Sequence, residues 1–168
     1  QKMIHAYEVK DYQLHIGEFL QMGKGKHAWK LAKAYCGFDI ETTNMIDREN
    51  NVKEAYMYHW QFSFNDIVIY GRKWKEFKYL INKIEKVNGF RDNVKMIVWV
   101  ANLSFEFQYI RKWLHVTRLF AKEERQPLLV EHNGWLQFRE ALSISGGNLE
   151  QLAKDYCTTQ KLVGDLDY

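Results

Sequence analysis

The chain has 168 residues, 46% of them hydrophobic and 15% aromatic, with a single proline; this composition excludes a disordered protein and fits one globular unit. No run approaches the roughly 20 apolar residues of a membrane span, and residues 1–20 lack the apolar stretch of a secretory signal, so we expect no membrane partner and a cytoplasmic location. The formal net charge of +3 weakly favours a polyanionic substrate. The two cysteines, Cys36 and Cys157, are predicted to be reduced core thiols.

The first half of the chain predicts a leader followed by three strands. Residues 1–34 form a leader segment of mixed pattern, with a helix expected at residues 27–34. Residues 36–44 predict the first strand, and a polar loop is expected at residues 48–54. The Asn65-Asp66 pair tolerates the positive φ of a tight turn. It therefore predicts an antiparallel hairpin, with strands at residues 55–64 and 67–71.

The second half predicts helices around a buried strand. Apolar residues at helical spacing predict a helix that Asn88-Gly89 ends, and a continuous apolar run predicts a central strand beside the first one. Asn133-Gly134 predicts a second hairpin, and Asn148 a helix N-cap. This order of elements predicts an α/β fold with a ribonuclease H-like mixed sheet flanked by helices. The remaining predicted elements are a helix at 74–87, the central strand at 95–100, a helix at 103–115 and hairpin strands at 128–131 and 135–142.

Two carboxylates in the first strand indicate a metal site. Alternation along a strand points Asp39 and Glu41 to one side and Phe38 and Ile40 to the other. Two like charges about 7 Å apart repel each other unless a cation such as Mg²⁺ or Mn²⁺ lies between them. The alternative, an edge strand with two solvated acids, stays open on this stretch alone.

A third carboxylate follows the central strand. Glu106 falls in the first turn of the next helix, where the helix N-terminus favours an anion. If the two strands are neighbours, Glu106 lies near Asp39 and Glu41, with Asn102 and Phe105 available to hold a substrate. The alternative is a capped helix with an ordinary first-turn glutamate.

Three separated stretches resemble one known family. They are FDIETT at residues 38–43, NLSFEF at residues 102–107 and LAKDYCTTQKLVGDLDY at residues 152–168. In this order they resemble the 3′-to-5′ exonuclease domain of protein-primed family B DNA polymerases from bacteriophages and related mobile elements. The resemblance covers about residues 35–168.

The resemblance implies a role for each of nine residues. Metal ligands and catalytic groups for Mg²⁺ or Mn²⁺ would be Asp39, Glu41 and Glu106. Contacts to the 3′ end of single-stranded DNA would come from Thr42, Asn102, Phe105, Tyr109, Leu142 and Lys161, the last lying two residues before the family's lysine. The implied partners are this DNA end and the rest of a DNA polymerase or a terminal protein.

The chain departs from the family pattern at two places, and these departures bear on the exonuclease activity that the resemblance implies. Ala101 replaces a histidine that commonly precedes the second motif. The third motif, Tyr-x-x-x-Asp, would lie beyond Tyr168, so residues 35–168 are expected to form an exonuclease-like domain without it, weak or inactive by itself. Tyr7 and Asp11 have the same spacing and could serve only if the N-terminal segment packed where the family's late helix does. The alternatives are a non-cleaving module that binds single-stranded nucleic acid or protein, and a ribonuclease H-like nuclease acting on RNA.

Overall fold

A computed structural model describes residues 2–142. Within that range the chain forms ten strands and three α-helices, with short 3₁₀ turns at Gly25–His27 and Arg111–Trp113. In chain order the elements are β1 (Lys2–His5), α1 (Asp11–Leu14), β2 (Phe19–Met22), β3 (Trp29–Ala32), β4 (Cys36–Asp47), β5 (Val52–Phe64), β6 (Ile67–Gly71), α2 (Trp74–Asn88), β7 (Val94–Val100), α3 (Leu103–Ile110), β8 (Val116–Glu123), β9 (Gln126–His132) and β10 (Leu136–Glu140).

The strands form one mixed sheet in the order β1-β6-β5-β4-β7-β10-β9-β8, and the β2–β3 hairpin joins it through β7. Strands β4, β5 and β6 pair antiparallel, whereas β7 is parallel to β4 and β10 is parallel to β7. A β4-β5-β6 meander followed by two parallel strands on its other side is consistent with a ribonuclease H-like fold. The predicted α/β class with a mixed sheet and flanking helices is therefore confirmed.

The core lies between one face of this sheet and α2. Phe77, at 5.0 Å between ring centroids from Phe38 of β4, is completely buried together with Leu80, Ile81 and Ile84. The helix ends as predicted, because Gly89 adopts a left-handed φ of 65° and donates its N–H to the Glu85 carbonyl. Alternation places the side chains of Asp39, Gln61, Trp99 and Arg139 on the opposite face of the sheet.

The first 34 residues share this core. Strand β1 extends the sheet beside β6, and the imidazole of His5 lies 3.0 Å from the Glu76 carboxylate of α2. The helix expected at residues 27–34 is wrong: Trp29–Ala32 is strand β3, whose backbone pairs with β2 and β7. Sheet pairing outweighs the local helical preference there. The domain boundary after residue 34 stays a prediction.

Two other boundaries differ from expectation because long-range pairing extends or replaces local structure. The β4–β5 ladder continues to the pair Asp47 and Val52, so only residues 48–51 form the connection that was expected at residues 48–54. The helix expected at residues 103–115 stops at Ile110, and a single 3₁₀ turn follows it.

Strand β8 was not anticipated from the sequence. All eight of its residues are exposed, so the strand has no buried face whose apolar residues would have predicted it. The strand exists because it pairs with β9. The β9–β10 hairpin was predicted, and both turn residues, Asn133 and Gly134, have positive φ angles.

Some predictions fall on residues 143–168, outside the described range: the helix beginning at Asn148, the reduced state of Cys157, the DNA contact of Lys161 and the third matching stretch. In the described part, Cys36 is a buried free thiol whose pKa burial raises to about 12. None of the helices between residues 2 and 142 has the length and apolar character needed to cross a membrane.

Candidate acidic site at the strand ends

The ends of β4 and β7 bring three carboxylates together. The two strands run parallel, with Phe38 beside Val100. Strand β7 ends at Val100, and the chain turns directly into α3, while β4 continues past that point. Glu106, in the first turn of α3, thereby reaches back over β4. Its carboxyl group interacts with the carboxyl group of Asp39 and accepts a hydrogen bond from the backbone N–H of Ile40.

Burial dominates the electrostatics of Glu106. The side chain is only 3% exposed, and desolvation, followed by the negative charge of Asp39, raises its pKa to about 9. The pair with Asp39 therefore retains a proton at neutral pH. The Oε2 atom of Glu106 is buried and has no hydrogen-bond partner within residues 2–142. A buried oxygen of this kind is costly unless something outside these residues binds it.

Glu41 contributes the third carboxylate from the next outward-facing position of β4. It is half-buried, and its charge adds to the rise in the Glu106 pKa. Directly across the ladder lies His59. Burial, then Arg72, lowers the pKa of His59, and the carboxylates of Glu41 and Asp39 partly oppose that decrease. His59 therefore belongs to the same electrostatic site, a role that only the β4–β5 register discloses.

The start of α3 is fixed by two side chains. Asn102 is the N-cap, and its Oδ1 accepts a hydrogen bond from the Phe105 N–H at 3.3 Å. Glu140, the last residue of β10, accepts the N–H of Leu103 at 2.7 Å through Oε2 and the N–H of Leu142 at 3.2 Å through Oε1. Sequence reasoning missed Glu140. The available signal was an acid ending the strand after a predicted hairpin.

The residues expected to contact DNA are placed unequally. Asn102 and Leu142 line one cleft of about 750 Å³, together with Lys122 and Arg125 of the β8–β9 hairpin. Thr42 is half-buried beside an irregularity in the β4–β5 pairing that separates it from Glu41.

Two aromatic residues of α3 lie partly within the protein. The rings of Phe105 and Tyr109 contact each other at 5.3 Å between centroids. Both rings also pack, partly buried, against the hydrophobic core. This packing gives each ring a structural role, and only part of its surface faces solvent.

Tyr7 and Asp11, which share the spacing of the family's third motif, contact α2. The Asp11 carboxylate lies 3.5 Å from the Lys83 ammonium. The Tyr7 ring meets Tyr79 edge to face, with 4.9 Å between centroids. Neither residue is among the groups that perturb the Glu106 pKa.

The three carboxylates offer only oxygen donors, which is the donor set that Mg²⁺ and Mn²⁺ prefer. The unpartnered Oε2 atom of Glu106 and the proton retained by the pair with Asp39 both fit a site where a cation would replace that proton. Over residues 2–142, no cluster of three or more His, Cys, Asp or Glu side chains is arranged as a metal-binding group. The donor atoms therefore suit a divalent cation, but the side chains are not arranged closely enough around one point to form a metal-binding group.

No family model matches the chain, and neither a curated protein nor a solved structure matches it. Function therefore has to be inferred from the side chains and their geometry.

Proposed function

We propose that the chain is the 3′-to-5′ proofreading exonuclease domain of a phage-type family B DNA polymerase, acting on the 3′ end of single-stranded DNA with Mg²⁺ or Mn²⁺. One observation carries the proposal: Asp39, Glu41 and Glu106 come from a strand and a helix start that meet at the ends of adjacent parallel strands. The charges of Asp39 and Glu41 both act on the buried carboxyl group of Glu106, so the three acids form one electrostatic site.

Each carboxylate has a defined task in this proposal. Asp39, Glu41 and Glu106 would hold the ions, which supply an activated water and stabilise negative charge on the departing 3′ oxygen. Burial, and then the charge of Asp39, keep a proton on Glu106, which a bound ion would replace. The bond from the N–H of Ile40 holds the Glu106 carboxyl in place, and Glu140 anchors the helix that carries it.

The cleft lined by Asn102 and Leu142 offers polar groups to a DNA end. Lys122 and Arg125 line it as well and can contact phosphates, next to the carboxylates of Glu124 and Glu140. The exposed parts of Phe105 and Tyr109 offer aromatic surface on which an unpaired base can stack, worth about 1–3 kcal/mol per base. A frayed 3′ end suits such a cleft better than a paired one, because its bases are already separated.

The test is a nuclease assay on the purified chain with a 5′-labelled single strand and Mn²⁺. We expect slow, stepwise shortening from the 3′ end, weak for an enzyme because three carboxylates supply few ligands for two ions. Asp39→Asn should abolish it, whereas Glu54→Gln, an exposed carboxylate on the outer part of β5, should leave it unchanged. Shortening that persists in Asp39→Asn would overturn the assignment of the site.

A second candidate is a module that binds single-stranded nucleic acid or a protein without cleaving. The retained proton of the Asp39–Glu106 pair favours it, because that proton removes one of the pair's two negative charges even without a metal. In that case no shortened DNA products appear at any metal concentration, while oligonucleotide binding is the same in the wild-type chain and in Asp39→Asn. A parallel assay with 5′-labelled RNA distinguishes the ribonuclease alternative.

A further inference from the structure

A basic cleft of about 460 Å³ lies beside the open face of the sheet, the face opposite α2. Its walls carry four cationic side chains, from Lys26, Lys95, Arg118 and Arg139, and one carboxylate, from Asp92. Within residues 2–142, Lys26, Arg118 and Arg139 take part in no ion pair. The cleft therefore has an excess of positive charge that no described residue neutralises.

Arg139 is held in place by a buried chain of hydrogen bonds. Its Nε and Nη2 atoms donate to Oε1 of Gln137 at 3.2 and 2.6 Å. The amide of Gln137 donates to Glu131 at 2.8 Å, and Glu131 in turn accepts a hydrogen bond from Lys95 at 3.0 Å. Gln137 and Glu131 are 3% and 4% exposed. A guanidinium fixed in this way needs little reordering to bind an anion.

Partial burial also makes a bound anion favourable for Arg139. Desolvation lowers its pKa, which means that the protein around the guanidinium stabilises its positive charge less well than water does. A phosphate oxygen would stabilise this positive charge, and a guanidinium matches phosphate geometry well.

The cleft lies near the acidic site, with one tryptophan in its lining and another on the neighbouring strand. Arg139 pairs with Trp99, and Trp99 pairs with Gly37 of β4, so Arg139 lies two strands, roughly 10 Å, from the strand that carries Asp39. Trp99 is 38% exposed. Trp29 lines the cleft. Cations interleaved with aromatic faces are the recurring surface for single-stranded nucleic acids.

We propose that this basic cleft binds the phosphodiester backbone of a single-stranded nucleic acid, with Arg139 and Arg118 as the main phosphate contacts and Trp99 as a stacking surface. The binding itself needs no metal and no cleavage. Only the statement that the bound strand is the one whose 3′ end reaches Asp39 rests on the proposed nuclease function.

The experiment measures anisotropy of a labelled oligothymidylate in EDTA, which removes any cleavage. The double variant Arg139→Gln/Arg118→Gln should weaken binding about 10-fold and reduce the slope of log affinity against log salt by roughly 1.4, since two phosphate contacts are lost. The matched control is Lys75→Gln, an exposed cation on α2 at the other face of the sheet, which should change affinity less than twofold. Equal weakening in the control and the double variant would overturn the proposal.

Two further arms separate misfolding and other ligands from strand binding. Arg139→Lys keeps the charge but not the paired hydrogen bonds to Gln137, so it should restore part of the affinity if the fold is intact, and thermal unfolding reports on that fold directly. A nucleoside monophosphate should compete far more weakly than an unlabelled oligonucleotide. Equal competition at equal phosphate concentration would make the cleft a mononucleotide site and overturn the assignment to a strand. A chain that never cleaves yet binds through Arg139 in EDTA refutes the nuclease and leaves this inference intact.

Discussion

Two buried glutamates, Glu106 and Glu131, are accommodated in opposite ways. Glu131 accepts hydrogen bonds from Lys95, Gln137 and Thr117, which lower its pKa despite burial. Glu106 instead lies beside the acid Asp39, has a buried oxygen without a partner in the described residues, and has a pKa raised to about 9. The first carboxylate stays charged because the protein supplies donors and a counter-charge for it, whereas the second keeps its own proton.

This difference separates a structural polar cluster from a candidate functional site. A buried ionic group that serves the fold is paired and hydrogen-bonded. Groups with strongly raised pKa values beside like charges occur at functional sites more often than elsewhere. The four predictions below test the contrast between Glu106 and Glu131.

The largest effect is expected from Glu131→Ala. Removing this carboxylate leaves the Lys95 ammonium, whose side chain is only 15% exposed, without its counter-charge. Breaking one partner of a buried pair costs roughly 3–5 kcal/mol, which chemical denaturation at neutral pH measures. Glu131→Gln, which keeps an acceptor, should lose less. A loss below about 1 kcal/mol, the usual value of an exposed pair, would show that Glu131 is not structurally essential.

Glu106→Gln should instead stabilise the protein at pH 8 in EDTA, by on the order of 3 kcal/mol. Because the folded-state pKa is raised, the folded chain keeps a proton that the unfolded chain releases, and stability falls as pH rises from about 4.5 toward about 9. The variant removes this dependence. Urea unfolding at pH 5 and pH 8 compares the two chains; parallel pH dependence would contradict the raised pKa.

His132 gives the opposite pH response within the structural region. It is 3% exposed, its Nδ1 accepts the N–H of His115 at 2.8 Å, and burial, then Lys78, lowers its pKa to about 4. The unfolded chain therefore binds the extra proton first, and stability falls as pH drops from 6.5 to 4, by about 2 kcal/mol. His132→Asn offers an oxygen in place of Nδ1 and should remove this decrease of stability between pH 6.5 and 4. The same decrease of stability in the variant would mean that other groups cause it.

The smallest effect concerns the metal. Mg²⁺ at about five times its dissociation constant should raise the free energy of unfolding at pH 8 by about 1 kcal/mol, because in the proposed site an ion would replace the proton held by Glu106. Asp39→Asn should abolish this gain, and Glu131→Gln should keep it. Equal stabilisation of both variants would mean that Mg²⁺ acts outside the acidic site.

The fold was largely predictable from local signals. Asn65-Asp66 and Asn133-Gly134 predicted both hairpins, because tight turns need residues that tolerate a positive φ. Gly89 predicted the end of α2. The continuous apolar run of β7 predicted its central position, but burial on both faces, which such a run indicates, is wrong: Val98 is buried and Trp99 is 38% exposed.

The site was predictable only in part. Asp39 and Glu41 stood out because two acids alternate with apolar residues in one strand, and Glu106 because it begins a helix after a buried strand. His59 escaped notice because nothing near it in the chain marks it, and Glu140 because its only local signal was an acid ending a predicted hairpin strand. His59 reaches the acids through the β4–β5 register, and Glu140 reaches α3 through the pairing of β10 with β7.

By itself, the sequence determined which segments alternate, which turn and which bury one face, since these follow from side-chain chemistry over a few residues. Only the tertiary structure decided that Trp29–Ala32 is a strand rather than a helix, that the exposed residues of β8 pair with β9, and that Arg139 and Lys95 line one cleft. The physical reason is the same in each case: backbone hydrogen bonds and charges acting between distant parts of the chain outweigh local preferences of a fraction of a kcal/mol per residue.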